Sequence, residues 1–475
     1  MPNFAGNFRH TRSDGAALGS GPCRLSFEAE TLTVTPAAGP PLSIDLGDID
    51  LFVPGDYELT LTLYTGARIL LERFGKAFQD LRRQLLEAYR RRLLECLLLE
   101  DLEEITRFDG FARLESPART FSSPAEFRLY KSNLAVLPAE AAGLQWRLAD
   151  VDAVRFDGST WNVTLESSGE RLTAAKLAKR TEEFRERLTG AIQEVARQAA
   201  ETVRKLFPFL SPDQLQQATT LLKEGSAASL ARLRAIHPKT QQALSANAVD
   251  AKLRPYFDAL LEHVPGGNYY AGFKLLRKDE EQAGQEEEAA TAETLGPVLE
   301  PGPGLAQGEA LQPAETQIAN TADLQSAPAS GARGDDETMP VLHWFFLPLS
   351  PKPGAKPAGN LVAWEATSSS GRATYFFRLV PPGEAAQLQD PSRAPALIDA
   401  AIGQLNRAIV LLNFRREPIY LPDASLELQP RFHRYAIACR KLPELVRLRS
   451  SFLGRAIHTT PEAWRKQFES YLAQA

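Results

Sequence analysis

Cysteine is scarce in this 475-residue chain, and what there is forms no pattern. Cys23, Cys96 and Cys439 lie far apart, with no CxxC between them. An odd, scattered set argues against a disulfide framework, and Cys96, inside a leucine-rich run, reads as a small core residue. No apolar run reaches the ~18 residues that a membrane span needs, and Met1 to Arg12 has no apolar segment of the secretory kind. These absences predict a reducing, cytoplasmic setting. Catalytic signatures are missing as well: there is no GxxxxGK[ST], GxGxxG, GxSxG or HExxH. The six histidines, His10, His237, His263, His343, His433 and His458, include no pair with each other or with cysteine at metal-ligand spacing. No catalytic residue, metal ligand or cofactor site is therefore expected.

What the chain does contain is an internal repeat. Leu32, Val34, Pro36, Leu46, Asp48, Ile49 and Asp50 recur 102 residues later as Leu134, Val136, Pro138, Leu148, Asp150, Val151 and Asp152. After a two-residue offset, Tyr57, Leu59 and Leu61 recur as Trp161, Val163 and Leu165. Within each copy the apolar residues alternate, so Leu32, Val34, Tyr57, Leu59 and Leu61 are expected on one face of antiparallel strands. Thr65-Gly66 and Ser168-Gly169 stand where tight hairpin turns belong. The period then changes to that of a helix: Phe74, Phe78, Leu81, Leu85, Tyr89 and Leu93 form one apolar stripe, and Phe184, Leu188, Ile192 and Val195 form another.

Six or seven short strands closed by a C-terminal helix resembles the pleckstrin-homology-like (PH-like) domains, over roughly 5–104 and 111–206. The resemblance implies binding modules for phosphoinositides, peptides or proteins. Phosphoinositide sites in such domains use basic residues around the first hairpin. Here that turn is Glu28-Ala29-Glu30 in the first copy and Lys131-Ser132-Asn133 in the second, which argues against a lipid head group as ligand.

From 193 to 263 the sequence reads as wholly helical, with Ser211-Pro212-Asp213 starting one helix. Residues 279–338 hold no aromatic side chain and carry 14 acids against Arg333 alone, a net charge of −13. Such a composition cannot bury enough apolar surface to offset ordering and is expected to be disordered. Since the whole chain carries −5, the rest carries +8. Strands are predicted at 269–276 and 341–349, on either side of the acidic segment. A hairpin follows at 361–366 and 373–380, and then a helix over 394–414. Residues 430–475 read as helical and basic, with nine Arg/Lys against three Glu.

The expected fold class is α+β: PH-like module 1 (1–104), PH-like module 2 (105–206), a helical connector (207–264) and a C-terminal α+β domain (265–278 with 339–475) carrying the disordered acidic insertion (279–338). Three features are candidate sites. Asp48-Ile49-Asp50 and Asp150-Val151-Asp152 place two carboxylates on one face, but without a third oxygen ligand nearby they read as a polar turn repeated in both copies. Arg82-Arg83 and Arg90-Arg91-Arg92 read as a solvated helix face with partners such as Glu87 and Glu95. In the basic tail, Arg431, Arg434, Arg440, Lys441, Arg447, Arg449 and Arg455 are the candidate anion-binding residues. Trp464, Phe468 and Leu472 nearby have the spacing of a packed helix face. A non-enzymatic protein-interaction or scaffold role leads, with no membrane span and protein as the expected partner. The alternatives are nucleic-acid or other polyanion binding through the basic tail, and an enzyme whose site is not legible in the sequence.

Overall fold

The computed structural model describes residues 3–474 apart from 276–340, 368–372, 100–101, 140–141, 430–431 and the single positions 29, 118, 168, 250 and 357. The acidic segment 279–338 and Arg431 therefore lie outside the described residues. The architecture is α+β, with three antiparallel sheets and helices distributed along the chain.

The first sheet contains β1 (Asn3–Thr11), β2 (Ala17–Phe27), β3 (Thr31–Pro36), β4 (Leu42–Asp45), β5 (Ile49–Pro54), β6 (Glu58–Leu63) and β7 (Arg68–Glu72), followed by helix α1 (Phe78–Cys96). Its strand order is β4-β3-β2-β1-β7-β6-β5. The second sheet contains β8 (Glu104–Glu115), β9 (Thr120–Tyr130), β10 (Asn133–Pro138), β11 (Leu144–Arg147), β12 (Ala153–Asp157), β13 (Asn162–Ser167) and β14 (Glu170–Ala175), followed by α2 (Thr181–Leu206). Its order, β11-β10-β9-β8-β14-β13-β12, repeats the first strand for strand. Leu32, Val34, Leu59 and Leu61, with their counterparts Leu134, Val136, Val163 and Leu165, are fully buried, as the alternation requires. Gly66 and Gly169 take the left-handed conformation at their turns, φ 80° and 83°.

The alternation breaks at one equivalent position in each copy. Tyr57 and Trp161 do not join the apolar face. Each stands at the end of the turn before β6 or β13, with φ 57° and 55°, and their side chains are 66% and 54% exposed. The left-handed backbone rotates them off the strand.

The two modules pack through a difference between the copies. On the outer face of β3 the side chains are Thr31, Thr33 and Thr35, all partly or fully exposed. On β10 the same positions are Asn133, Ala135 and Leu137, and that strand is buried throughout. Ala135, Leu137 and Tyr130 enter the core of the first module beside Leu93, Leu94, Leu97 and Leu99. Gln145 Nε2 donates to the Leu97 carbonyl at 2.7 Å, and Arg90 pairs with Glu126 at 2.7 Å. Leu137→Ala is expected to cost about 2–4 kcal/mol by the cavity it leaves between the modules, measured by chemical denaturation. A loss no larger than that of a surface leucine would show that the modules do not rest on this strand.

The connector carries α3 (Pro212–Leu221), α4 (Leu230–Ile236), α5 (Thr240–Ala248) and α6 (Arg254–Leu261). Ser211 and Gln214 complete a capping box at the start of α3. The reading of 193–263 as wholly helical needs one correction: Ala228–Ser229 form a short strand, β15, which pairs with β16 (Tyr270–Leu275). Two residues are too few for a periodicity to register. The third sheet continues through β17 (Val341–Leu349), β18 (Leu361–Ala366), β19 (Ala373–Phe377) and β20 (Phe452–Ile457), in sequential order.

The remaining helices are α7 (Ala394–Leu411), α8 (Glu417–Tyr420), α9 (Asp423–Leu428), α10 (His433–Lys441), α11 (Pro443–Ser451) and α12 (Pro461–Leu472). The expectation of a wholly helical 430–475 fails at β20. Six residues, Phe-Leu-Gly-Arg-Ala-Ile, are too few to fix a period of their own, and pairing with β19 decides the conformation. A Cβ at Gly454 would lie 2.2 Å from the Tyr471 hydroxyl, so glycine is what lets α12 close over this strand. Trp464, Phe468 and Leu472 are buried, as a packed helix face requires. Among the described residues no helix is long and apolar enough to cross a membrane.

Candidate functional site

The repeated Asp-x-Asp turn is a docking point in both modules. In the first, Asp45 caps the 3-10 turn by accepting from Gly47 N at 2.7 Å. That turn presents Asp48, Asp50 and two backbone carbonyls to α10. Arg440 pairs with Asp48 at 3.3 Å, and Lys441 pairs with Asp50 at 3.0 Å. Lys441 Nζ also donates to the carbonyls of Gly47 and Ile49 at 2.7 and 2.9 Å. In the second module the same turn receives a different segment. Lys223 pairs with Asp152 at 3.1 Å, Arg147 pairs with Asp150 at 3.7 Å, and Ser226 Oγ reaches Asp150 at 3.5 Å. Each turn thus sets its carboxylates against cations of a segment outside the module, Arg440 and Lys441 in the first and Lys223 in the second, while Arg147 of the second module donates outward to the Gly225 carbonyl at 2.7 Å.

Beside the first of these turns lies a dense polar cluster built on Arg92. The sequence places Arg92 on a solvated helix face, yet it is buried, and the reason is its partners. Its Nε and Nη2 donate to the two oxygens of Asp45 at 3.1 and 3.0 Å, and its Nη1 donates to Glu95 at 2.6 Å. Nη2 also lies 3.4 Å from Glu30 and 3.5 Å from His433 Nδ1. A buried charge with several carboxylate partners is tolerated where a lone one is not. Glu30, Asp45 and His433 are spaced as three metal ligands would be. Arg92 Nη2 is within about 3.5 Å of all three, so the position a cation would take is filled by the guanidinium. The cluster is an ionic clasp between α1 and α10, and its donor set does not call for a metal.

The candidate anion-binding residues of the tail do not form one surface. Arg440 and Lys441 are spent on the first module, as described, and Arg440 also pairs with Glu427. Arg449 pairs with Asp423 at 2.6 Å and donates to the carbonyls of Pro418 and Leu421. Arg434 lies over the Tyr435 ring at 4.9 Å. Arg447 is exposed on α11. Arg455 alone on β20 is half-buried among tyrosines, with its guanidinium 3.9 Å from the centre of the Tyr420 ring.

The matched aromatic tips are what alternation obscured in the sequence. Tyr57 and Trp161 occupy equivalent turn-end positions, each an exposed large aromatic in a backbone conformation that normally falls to glycine. Trp161 rests edge-on against Phe156, with ring centres 6.0 Å apart, and Tyr57 leans on Phe78 at 5.9 Å. A turn-forming Gly-Asp or Gly-Ser-Thr before an aromatic was the available signal.

No family model matches the chain, and no curated protein matches it. Among solved structures it is similar to the pleckstrin homology (PH) domain of USP37, at 17% sequence identity, covering 19% of this chain and 98% of that chain, with a TM-score of 0.16.

Proposed function

We propose that the chain is a non-catalytic interaction or scaffold protein of the cytoplasm, in which two PH-like modules present aromatic hairpin tips to a protein partner. The PH-like reading rests on seven antiparallel strands closed by one C-terminal helix in each copy. The observation that carries the binding role is the pairing of Tyr57 with Trp161. A left-handed conformation costs a non-glycine residue roughly 1–2 kcal/mol, and an exposed tyrosine or tryptophan gains little from solvent. Both copies nevertheless keep an aromatic there. Tryptophan and tyrosine are the side chains that dominate interface hot spots. Phosphoinositide is disfavoured as ligand, because Glu30 is drawn into the Arg92 clasp and Lys131 is paired with Glu103. A reducing compartment agrees with three buried, unpaired cysteines. Burial pushes their thiols up, to about 11 for Cys23, about 12 for Cys96 and about 11 for Cys439, which leaves them inert.

The test uses glycine at the two tips. Because glycine relieves the left-handed strain, Tyr57→Gly and Trp161→Gly are expected to leave stability within about 1 kcal/mol of wild type. The same double variant should lose the partners that the wild-type chain captures from its own cells. A photo-crosslinking residue at position 161 should label such a partner directly. Unchanged capture by a folded double variant refutes the tip reading.

A further inference from the structure

The outer faces of the two modules differ at positions where the repeat aligns them. On the first, Arg9 of β1 stands opposite Leu70 of β7, and Thr11 stands opposite Arg68. Thr62 of β6 flanks Arg68 on its other side. On the second, the same registers place Arg113 opposite Thr173, with Glu115 and Glu166 on either side of Arg171. Both arginines are thus kept, Arg9 as Arg113 and Arg68 as Arg171, while the two glutamates of the second module are Thr11 and Thr62 in the first. Glu115 pairs with Arg113 at 2.7 Å and with Arg171 at 3.7 Å, and Glu166 pairs with Arg171 at 3.3 Å. Arg9 and Arg68 are exposed, and among the described residues neither has an ion-pair partner. Glu72, the next carboxylate along β7, stands between Asn7 and Glu58 and pairs with Arg73 at 3.9 Å.

A second observation points the same way. Around these arginines the first module is the more apolar. Its Leu51, opposite Thr62, and Val53, opposite Thr60, stand where the second module has Ala153 and Arg155, and Leu70 stands where it has Thr173. Leu51, Val53 and Leu70 are all partly exposed. Unpaired guanidinium groups beside added apolar surface have the composition of an interface, where arginine is enriched among the residues that carry binding energy. A solvated face would look like that of the second module, with its charges paired to one another.

From this contrast we propose that the outer face of β1, β7 and β6 in the first module docks an acidic, extended segment of a partner protein. The second module shows which group fits the arginines, since there the chain supplies carboxylates of its own. A guanidinium takes a carboxylate through paired hydrogen bonds, and the hydroxyls of Thr11 and Thr62 can donate to the same oxygens. Arg9 and Arg68 are diagonal neighbours on adjacent strands, about 7–8 Å apart at such positions. Side chains two residues apart on an extended segment share one side at a spacing of about 7 Å. Two acids at alternate positions therefore reach both arginines, and Leu70, next to each, takes an apolar neighbour. Neither Tyr57 nor Trp161 belongs to this face, so the site stands or falls apart from the aromatic tips.

The test is fluorescence anisotropy of a labelled peptide, glutamate alternating with threonine and ending in leucine, titrated with the full-length chain. A peptide with glutamine for glutamate and a short oligothymidylate are the comparisons. The glutamate peptide is expected to bind saturably and about tenfold more tightly than the glutamine peptide. Thr11→Glu with Thr62→Glu gives the first module the pairing of the second, and should weaken binding about tenfold or more. Because exposed ion pairs contribute little to stability, thermal unfolding of this variant should match wild type. Arg9→Gln with Arg68→Gln should weaken binding to the same degree, and this pair carries the test if glutamate at position 62 disturbs the fold. No saturable binding, equal affinity for the glutamate and glutamine peptides, or binding that survives the arginine substitutions overturns the site. Oligothymidylate bound more tightly than the glutamate peptide overturns the assignment to an acidic protein segment and gives the face to nucleic acid.

Discussion

Arg92→Met is expected to lower the stability of the chain by about 3 kcal/mol and to loosen α10 from the first module. Methionine preserves much of the aliphatic volume of arginine, so the loss isolates the guanidinium. Four groups converge on that guanidinium: Asp45 with both oxygens, Glu95, Glu30 and His433. Removing it leaves three carboxylates facing one another across the junction, with Lys441 and Arg440 already committed to Asp50 and Asp48. Breaking a buried ion pair from one side costs about 3–5 kcal/mol. The lower end applies because Asp45 and Glu95 are themselves only partly buried. Chemical denaturation measures the total, and a double-mutant cycle with Asp45→Asn isolates the pair. The double variant should be less destabilised than the sum of the singles, since Asp45→Asn removes one of the charges that Arg92→Met strands. Additive losses, or a cost under about 1 kcal/mol for Arg92→Met, would mean that the clasp contributes no more than a surface ion pair.

The same clasp shows what could be read from the sequence and what could not. The strands of both modules were legible because Leu32, Val34, Leu59 and Leu61 obey a period of two within a few residues of one another, and the repeat doubles the signal. The helices α1 and α2 were legible for the same reason at a period of 3.6. Arg92 was not, because its environment depends on Asp45, 47 residues earlier, and on His433, 341 residues later. On local grounds, pairing with Glu95 looks the same whether the helix face is wet or dry. The Asp-x-Asp turns are legible as turns, but their partners are Arg440 and Lys441 in one copy and Lys223 in the other, so no shared motif marks the docking role. The module interface did leave a trace: the threonines of β3 become Ala135 and Leu137 in β10, a change from polar to apolar on the face that alternation assigns to solvent. Comparing the copies position by position, rather than for their matches alone, finds it. Tyr57 and Trp161 went the other way. Alternation drew them into the core, and only the left-handed turn, which a period of two cannot represent, puts them outside.

Asn406 is where the second module, the connector and the third sheet meet, and replacing it is expected to cost about 2–3 kcal/mol. Its Oδ1 accepts from Trp344 Nε1 at 3.0 Å, and its Nδ2 donates to the Gly225 carbonyl at 2.8 Å. That carbonyl also accepts from Arg147 Nη1 at 2.7 Å, while Gly225 N donates to the Phe273 carbonyl at 2.8 Å. Gly225 has to be glycine here, with φ 69° and a Cβ that would lie 2.3 Å from Arg147 Nη2. Asn406→Leu keeps the volume but strands the indole N–H of Trp344 in a fully buried position, and Gly225 retains Arg147. Asn406→Asp separates the two bonds. Its ionised carboxylate still accepts from Trp344 but faces the Gly225 carbonyl with no proton to give. Its protonated form restores the donor. Burial and the carbonyl both favour the protonated form in the folded chain, so the folded pKa of this aspartate should lie above the unfolded value of about 3.9. The sign follows: Asn406→Asp should be closest to wild type below that unfolded value. It should then lose stability as pH rises toward the folded pKa, by up to about 1.4 kcal/mol per pH unit relative to wild type at the same pH. Denaturation of the Leu and Asp variants across a pH series checks both points. A pH-independent difference between Asn406→Asp and wild type would show that position 406 is solvated and that the bridge from Gly225 to Trp344 does not hold the junction.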